Sequence, residues 1–123
     1  MIYFDGHKAH YFGVFMKDGI YKLIFNTNVN RNGMLNGILT VRDGRINGGD
    51  YVCYYKGSVN GNTASVKSVP HNTHDTNAFN SHSSVDLELR IEEHGAVYLF
   101  KGNAVGDSSN TIHGELHFLS NLA

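Results

Sequence analysis

The sequence predicts an all-β domain, an antiparallel meander of seven or eight strands that closes as a barrel or folds as a sandwich. Three observations carry this prediction. Several segments alternate apolar and polar residues with a period of two, no segment sustains a helical period, and Asp-Gly or Asn-Gly pairs separate some of the alternating stretches. With 123 residues, 41% of them hydrophobic, the chain has the material for one core and not for two.

In chain order, the aromatic-rich residues 1–15, "MIYFDGHKAHYFGVF", precede a second methionine, Met16, and are expected to be an N-terminal extension or an extra strand. Residues 16–123 are then the single β domain. "IYKLIFN" sets Tyr21, Leu23 and Phe25 on one face of a strand, and "MLNGILTVR" does the same for Leu35, Leu39 and Val41, with Gly37 in place of a side chain. Asp43-Gly44, flanked by strand-like residues, predicts a type I′ hairpin turn, because that turn needs positive φ at both central positions. "RINGGDYVCYYKG" reads as an interrupted strand. Gly48 and Gly49 there predict a bend at a corner of the sheet, with the Asp50 carboxylate capping nearby backbone N–H groups; a ligand contact is the alternative. "VNGN" supplies a second turn before the strand "TASVKSV".

Residues 70–84, "PHNTHDTNAFNSHSS", are polar and contain the single proline, so they are expected to form a long surface loop or a poorly ordered connection. "SVDLELRIEE" is the cleanest alternation, with Val85, Leu87, Leu89 and Ile91 on one face and Asp86, Glu88, Arg90 and Glu92 on the other. "GAVYLFKGNA" is a further strand. "TIHGELHFLS" completes the set, with Ile112, Gly114, Leu116 and Phe118 inward and His113, Glu115 and His117 outward.

Composition narrows the function. The formal net charge is −1 and the ten Lys and Arg are scattered, so no basic stripe exists to track a phosphate backbone and no direct nucleic-acid binding is expected. One cysteine, Cys53, cannot form an internal disulfide, which fits a reducing compartment. No signal-peptide pattern and no apolar run of membrane-spanning length occurs, so a cytoplasmic protein is expected. His71, His74, Asp75 and His82 invite a zinc site, but their spacing is loose, and His113 and His117 would stand ~13 Å apart on one strand face, too far to share an ion. Cys53 reads as a structural thiol. No nucleophile elbow, phosphate loop or paired catalytic carboxylates are found, so neither an enzyme nor a cofactor is expected. Tyr51, Tyr54 and Tyr55, with Tyr98 and Phe100, either line a barrel interior, as core or around a small apolar ligand, or cover a sheet face as a protein interface.

The stretch "MKDGIYKLIF" at 16–25, then Gly37, "GRINGGD" at 44–50 and "YKG" at 55–57, resembles the GrlR family of negative regulators of bacterial type III secretion gene expression. The resemblance covers roughly residues 16–57, and the later strands follow it in pattern only. It implies a lipocalin-like barrel of about eight strands, dimeric, that binds and inhibits a helix-turn-helix transcriptional activator without touching DNA. The family's acidic run after the Y-x-G landmark has as its counterpart here "GNTA", residues 61–64, with no acidic residue. The interaction surface is therefore expected around Asp50, Tyr51, Tyr54 and Tyr55 and the turn containing Asn60, Gly61 and Asn62. The other reading, from a different class, is a carrier holding a small apolar ligand inside the barrel.

Overall fold

The computed structural model describes residues 2–5, 8–11, 16–30 and 33–123, the first two segments as backbone strands only. Every regular element among them is a strand. β1 (Ile2–Asp5) and β2 (Lys8–Tyr11) pair antiparallel with each other and form a separate two-stranded sheet, so neither is an extra strand of the barrel. The rest of the expected N-terminal extension, residues 1, 6–7 and 12–15, lies outside the described residues.

The remaining strands are β3 (Gly19–Thr27), β4 (Leu35–Arg42), β5 (Arg45–Gly49), β6 (Cys53–Asn60), β7 (Thr63–Pro70), β8 (Val85–His94), β9 (Val97–Ala104) and β10 (Asp107–Ser120). Each pairs antiparallel with the next, and β10 returns to pair with β3, which closes an eight-stranded up-and-down barrel. Closure removes the exposed edges that an open sheet of these sequences would present. The period-two pattern decides which side is inside. Tyr21, Leu23 and Phe25 of β3, Leu87 and Ile91 of β8, and Ile112 and Leu116 of β10 are buried in one core, while Lys22, Arg42, Lys56, Lys67, Glu88 and Arg90 face outward and are exposed. A charged exterior around an apolar interior is the reverse of a membrane-spanning barrel, whose outer band is apolar.

The turns follow their residue chemistry. Asp43 (φ 50°) and Gly44 (φ 76°) both adopt positive φ between β4 and β5, as the type I′ expectation requires. The second hairpin differs by one position: Gly61 and Asn62 are the loop residues, and positive φ falls on Gly61 (φ 62°) as the first of them.

Gly48 explains why the strand pattern breaks. A Cβ there would lie 2.2 Å from the Ile38 carbonyl oxygen and 2.6 Å from the Leu39 Cα, so β4 and β5 approach more closely than any side chain permits. The pair does not bend one continuous strand. It ends β5, and the chain reverses through Asp50 into β6. Gly48→Ala is expected to lower stability by about 2 kcal/mol through forced separation of these strands. Gly95→Asn, at a turn with φ 61° and no atom within 4 Å of a new Cβ, is expected to be nearly neutral. Urea denaturation of the two variants checks the contrast.

Side chains pack at both barrel ends. At one, Met16 is buried and Tyr21 packs against Tyr98 and edge-on against Phe118, with ring centroids 6.0 and 5.6 Å away. At the other, the loop 71–84 folds onto the mouth, and its Ala78 and Phe79 pack against the core. The loop is a surface loop, as expected, with His74, Asp75, Thr76 and His82 exposed, and it turns Asn77, Ala78 and Phe79 inward. Asn77, only 6% exposed, is its knot: Oδ1 accepts from the Phe79 and Ser81 N–H groups at 2.9 and 3.0 Å, and Nδ2 donates to the Ser83 carbonyl at 2.9 Å. Thr27 Oγ1 donates to the Ala78 carbonyl at 2.7 Å and ties the loop to the end of β3.

Candidate functional site

Asp50 organises the connection between β5 and β6. Its Oδ1 accepts from the backbone N–H of Val52 at 2.8 Å and of Cys53 at 2.7 Å, while its own N–H donates to the Cys53 carbonyl at 2.8 Å. This is the local capping that an aspartate after two glycines supplies. Its Oδ2 accepts from the Tyr55 hydroxyl. The connection is also fastened to the roof loop. His71 N–H donates to the Val52 carbonyl at 2.8 Å, and the His71 ring nitrogen Nε2 lies 3.0 Å from the Asp50 carbonyl oxygen.

These bonds sort the tyrosines. Tyr51 projects into solvent, 78% exposed, and Tyr54 is 43% exposed on the outer wall. Tyr55 is only 7% exposed and points inward, so it leaves the expected interaction surface and joins the interior. The reason is the strand itself: Tyr54 and Tyr55 are neighbours on β6 and must face opposite sides. Phe100 is buried inside, and Tyr98 packs at the Tyr21 end.

The expected surface also splits along the strand. Asn60, Gly61 and Asn62 lie at the far end of β6 from Cys53, a separation of roughly 23 Å at the usual rise per residue. They therefore do not share a site with Asp50 and Tyr51. A different neighbour does. The register pairs Ile38 with Gly49, Gly49 with Tyr54 and Tyr54 with Val69, which lines up Ile38, Tyr54 and Val69 across the outside of β4 to β7. Gly49 leaves a gap in this row, and Ile38 is 46% exposed. An apolar row beside an exposed tyrosine is unusual on a wall otherwise studded with Lys, Arg and Glu.

Inside the barrel, a cavity of about 440 Å³ runs from Met16 at one end to Ala78 and Phe79 under the roof loop at the other. Leu23, Phe25, Leu39, Leu87, Ile91 and Phe100 supply much of its wall. Polar side chains on the wall gather toward the roof, where Asp50, Tyr55, Ser68 and Asn77 stand. An eight-stranded barrel has an interior that side chains fill or that holds one small ligand. Here the small inward residue Ala64 on the wall leaves room for the second outcome.

Burial, then the Asp50 carboxylate, pushes the Tyr55 phenol well above its ordinary value near 10. Burial, then Tyr98, raises Tyr21 likewise, and burial raises the Cys53 thiol. The folded state therefore keeps protons that the unfolded chain releases in alkali. Their contribution to stability is complete below the unfolded values and is lost as pH rises above them. The urea midpoint is expected to be unaffected by these groups up to about pH 8 and to fall above about pH 9, with a smaller fall in Tyr55→Phe.

The histidines do not converge. His71 is engaged with Asp50, and Asp75 accepts from Asn72 Nδ2 at 3.0 Å. On β10, His117 Nε2 lies 2.8 Å from Glu115 Oε1. Among the described residues no group of three or more His, Cys, Asp or Glu is arranged to hold a metal ion. No helix among them is long and apolar enough to cross a membrane. Asn77 and Ile38 are the residues that sequence reasoning missed. "NAFN" did carry a signal for the first, an apolar pair inside a polar loop. Compared with protein-family models and with curated protein sequences, the chain has no match in either.

Proposed function

We propose that the chain is a non-enzymatic, cytoplasmic regulator of the GrlR kind, a homodimer that binds and inhibits a helix-turn-helix activator of type III secretion genes in bacteria. The observation that carries this reading is the outward row of Ile38, Tyr54 and Val69 beside the exposed Tyr51. Exposed tyrosines with an apolar neighbour suit a protein interface, because they offer large amphipathic area at low entropy cost. The "GGD" landmark of the resemblance is the structural support of that surface, since Gly49 sits within the row and Asp50 fixes the turn that carries Tyr51. A net charge of −1 with scattered cations favours a protein partner over DNA.

Transcript measurement in the host tests the reading. Raising the level of the wild-type chain is expected to lower secretion-gene transcripts several-fold, while Tyr51→Asp, folded to the same extent, leaves them unchanged. Unaltered transcripts with the wild-type chain, or equal repression by both, would contradict it.

A second reading is favoured by the cavity: the barrel holds a small, largely apolar molecule. At about 440 Å³ it falls within the range of roughly 300–1,000 Å³ for small-molecule sites. The two readings meet at Tyr51, which is exposed and also lines the cavity, while Ile38 and Tyr54 belong to the outer wall alone.

A further inference from the structure

We propose that the cavity takes an uncharged amphipath, an apolar chain or fused-ring body with a hydroxyl or N–H head, whose head sits at Tyr55 and Asp50 beneath the roof loop. The inference rests on the ligand-binding reading of the cavity and adds the chemistry and orientation of the ligand.

Size comes first. A cavity of about 150 Å³ lined by Leu, Ile and Phe stays dry and takes one benzene. This one is about three times that volume, with Met16 at its closed end and aliphatic and phenyl side chains along its length. The wall along that stretch offers a ligand no polar side chain, so it accommodates the apolar body.

Polarity is confined to the other end, and its geometry dictates the head. Asp50 Oδ1 already accepts two backbone N–H groups, and Oδ2 accepts the Tyr55 hydroxyl. Tyr55 has therefore committed its proton to Asp50 and offers its oxygen as an acceptor. That oxygen lies 3.0 Å from where a Cβ on Gly37 would stand, so the missing side chain at Gly37 lets the Tyr55 ring reach this position on the cavity wall. A head that donates a hydrogen bond completes the arrangement. A carboxylate head meets an acceptor and, behind it, a fixed negative charge in an apolar enclosure, where unpaired charge is costly. Asn77 Nδ2 gives one of its two hydrogens to the Ser83 carbonyl, and the described wall carries no Lys, Arg or His to neutralise a carboxylate.

The experiment is displacement of the fluorescent apolar probe N-phenyl-1-naphthylamine from the full chain, at about pH 7.5, where decanoate is ionised. The probe is expected to bind the wild-type protein and to bind Ala64→Phe, whose ring fills the cavity, far more weakly. 1-Decanol is expected to displace it at about tenfold lower concentration than decanoate. Asp50→Asn, which removes the charge at constant shape, is expected to narrow that ratio. Circular dichroism establishes that each variant is folded, and the wild-type ratio stands without them. Probe binding that is lost in Ala64→Phe, combined with decanoate displacing as well as decanol, would overturn the assigned head chemistry while leaving the cavity a ligand site. Failure of the folded wild-type protein to bind probe or decanol would overturn both.

Discussion

Tyr21→Ala is expected to lower the stability of the barrel by about 4 kcal/mol, in the range for removing a large aromatic side chain from a core. The side chain is 0% exposed and contacts Tyr98 and Phe118 across the closed end of the barrel. Its hydroxyl donates to the Lys17 carbonyl at 2.7 Å, which anchors the chain segment leading into β3. Lys17 in turn places its ammonium 3.7 Å from the centre of the Phe118 ring, so one ring removal loosens three contacts at once. A domain of this length has a total stability of roughly 5–15 kcal/mol, and a loss of this size leaves it close to unfolding at moderate urea. Tyr21→Phe, which keeps the ring and removes the hydroxyl, is expected to cost about 1 kcal/mol. Urea midpoints of the two variants separate the packing of the ring from its hydrogen bond. Equal losses would mean that the bond to Lys17, and not the ring, closes this end.

Asp50→Ala is expected to cost about 3 kcal/mol, because the change strips acceptors from three donors together. Val52 and Cys53 lose the cap on their N–H groups, and the Tyr55 hydroxyl is left inside the barrel without its carboxylate partner. Asp50→Asn retains an acceptor in the same place and is expected to lose less than half as much. The predicted signature is spatial as well as energetic. Amide exchange should rise at 50–53 and in the roof loop, which is bonded to Val52 through His71 and Asn72, before it rises at β8 and β10. Exchange that rises uniformly would show that Asp50 supports the whole barrel and not this connection.

The fold was legible where its signal is local. The alternation from Val85 to Glu92 states which residues are inside without reference to any other strand, and Asp43-Gly44 encodes its turn in two residues. The Asp50 cap was legible for the same reason, since its N–H partners are two and three residues away. The expected surface includes both Tyr54 and Tyr55, but a period of two forbids neighbours from sharing a face, and Tyr55 lies inside. The Ile38, Tyr54 and Val69 row was not legible, because it exists only once the registers of four strands are fixed. The roof is the hardest case. Its fastening joins Thr27 to Ala78, 51 residues apart, and nothing in a run of Asn, His and Ser announces a partner at that distance.

In the proposed function the chain holds a transcriptional activator against the wall around Tyr51. The direct measurement is recovery of partners from the host's own lysate on the tagged barrel, with Tyr51→Ala and Tyr54→Ala as paired baits and bound proteins quantified by mass spectrometry. The account predicts near-stoichiometric recovery of one helix-turn-helix activator by the wild-type chain and a loss of about tenfold or more with either variant, the scale of an interface hot spot. Recovery of no such protein by folded wild-type bait, or recovery that both variants leave unchanged, would contradict it.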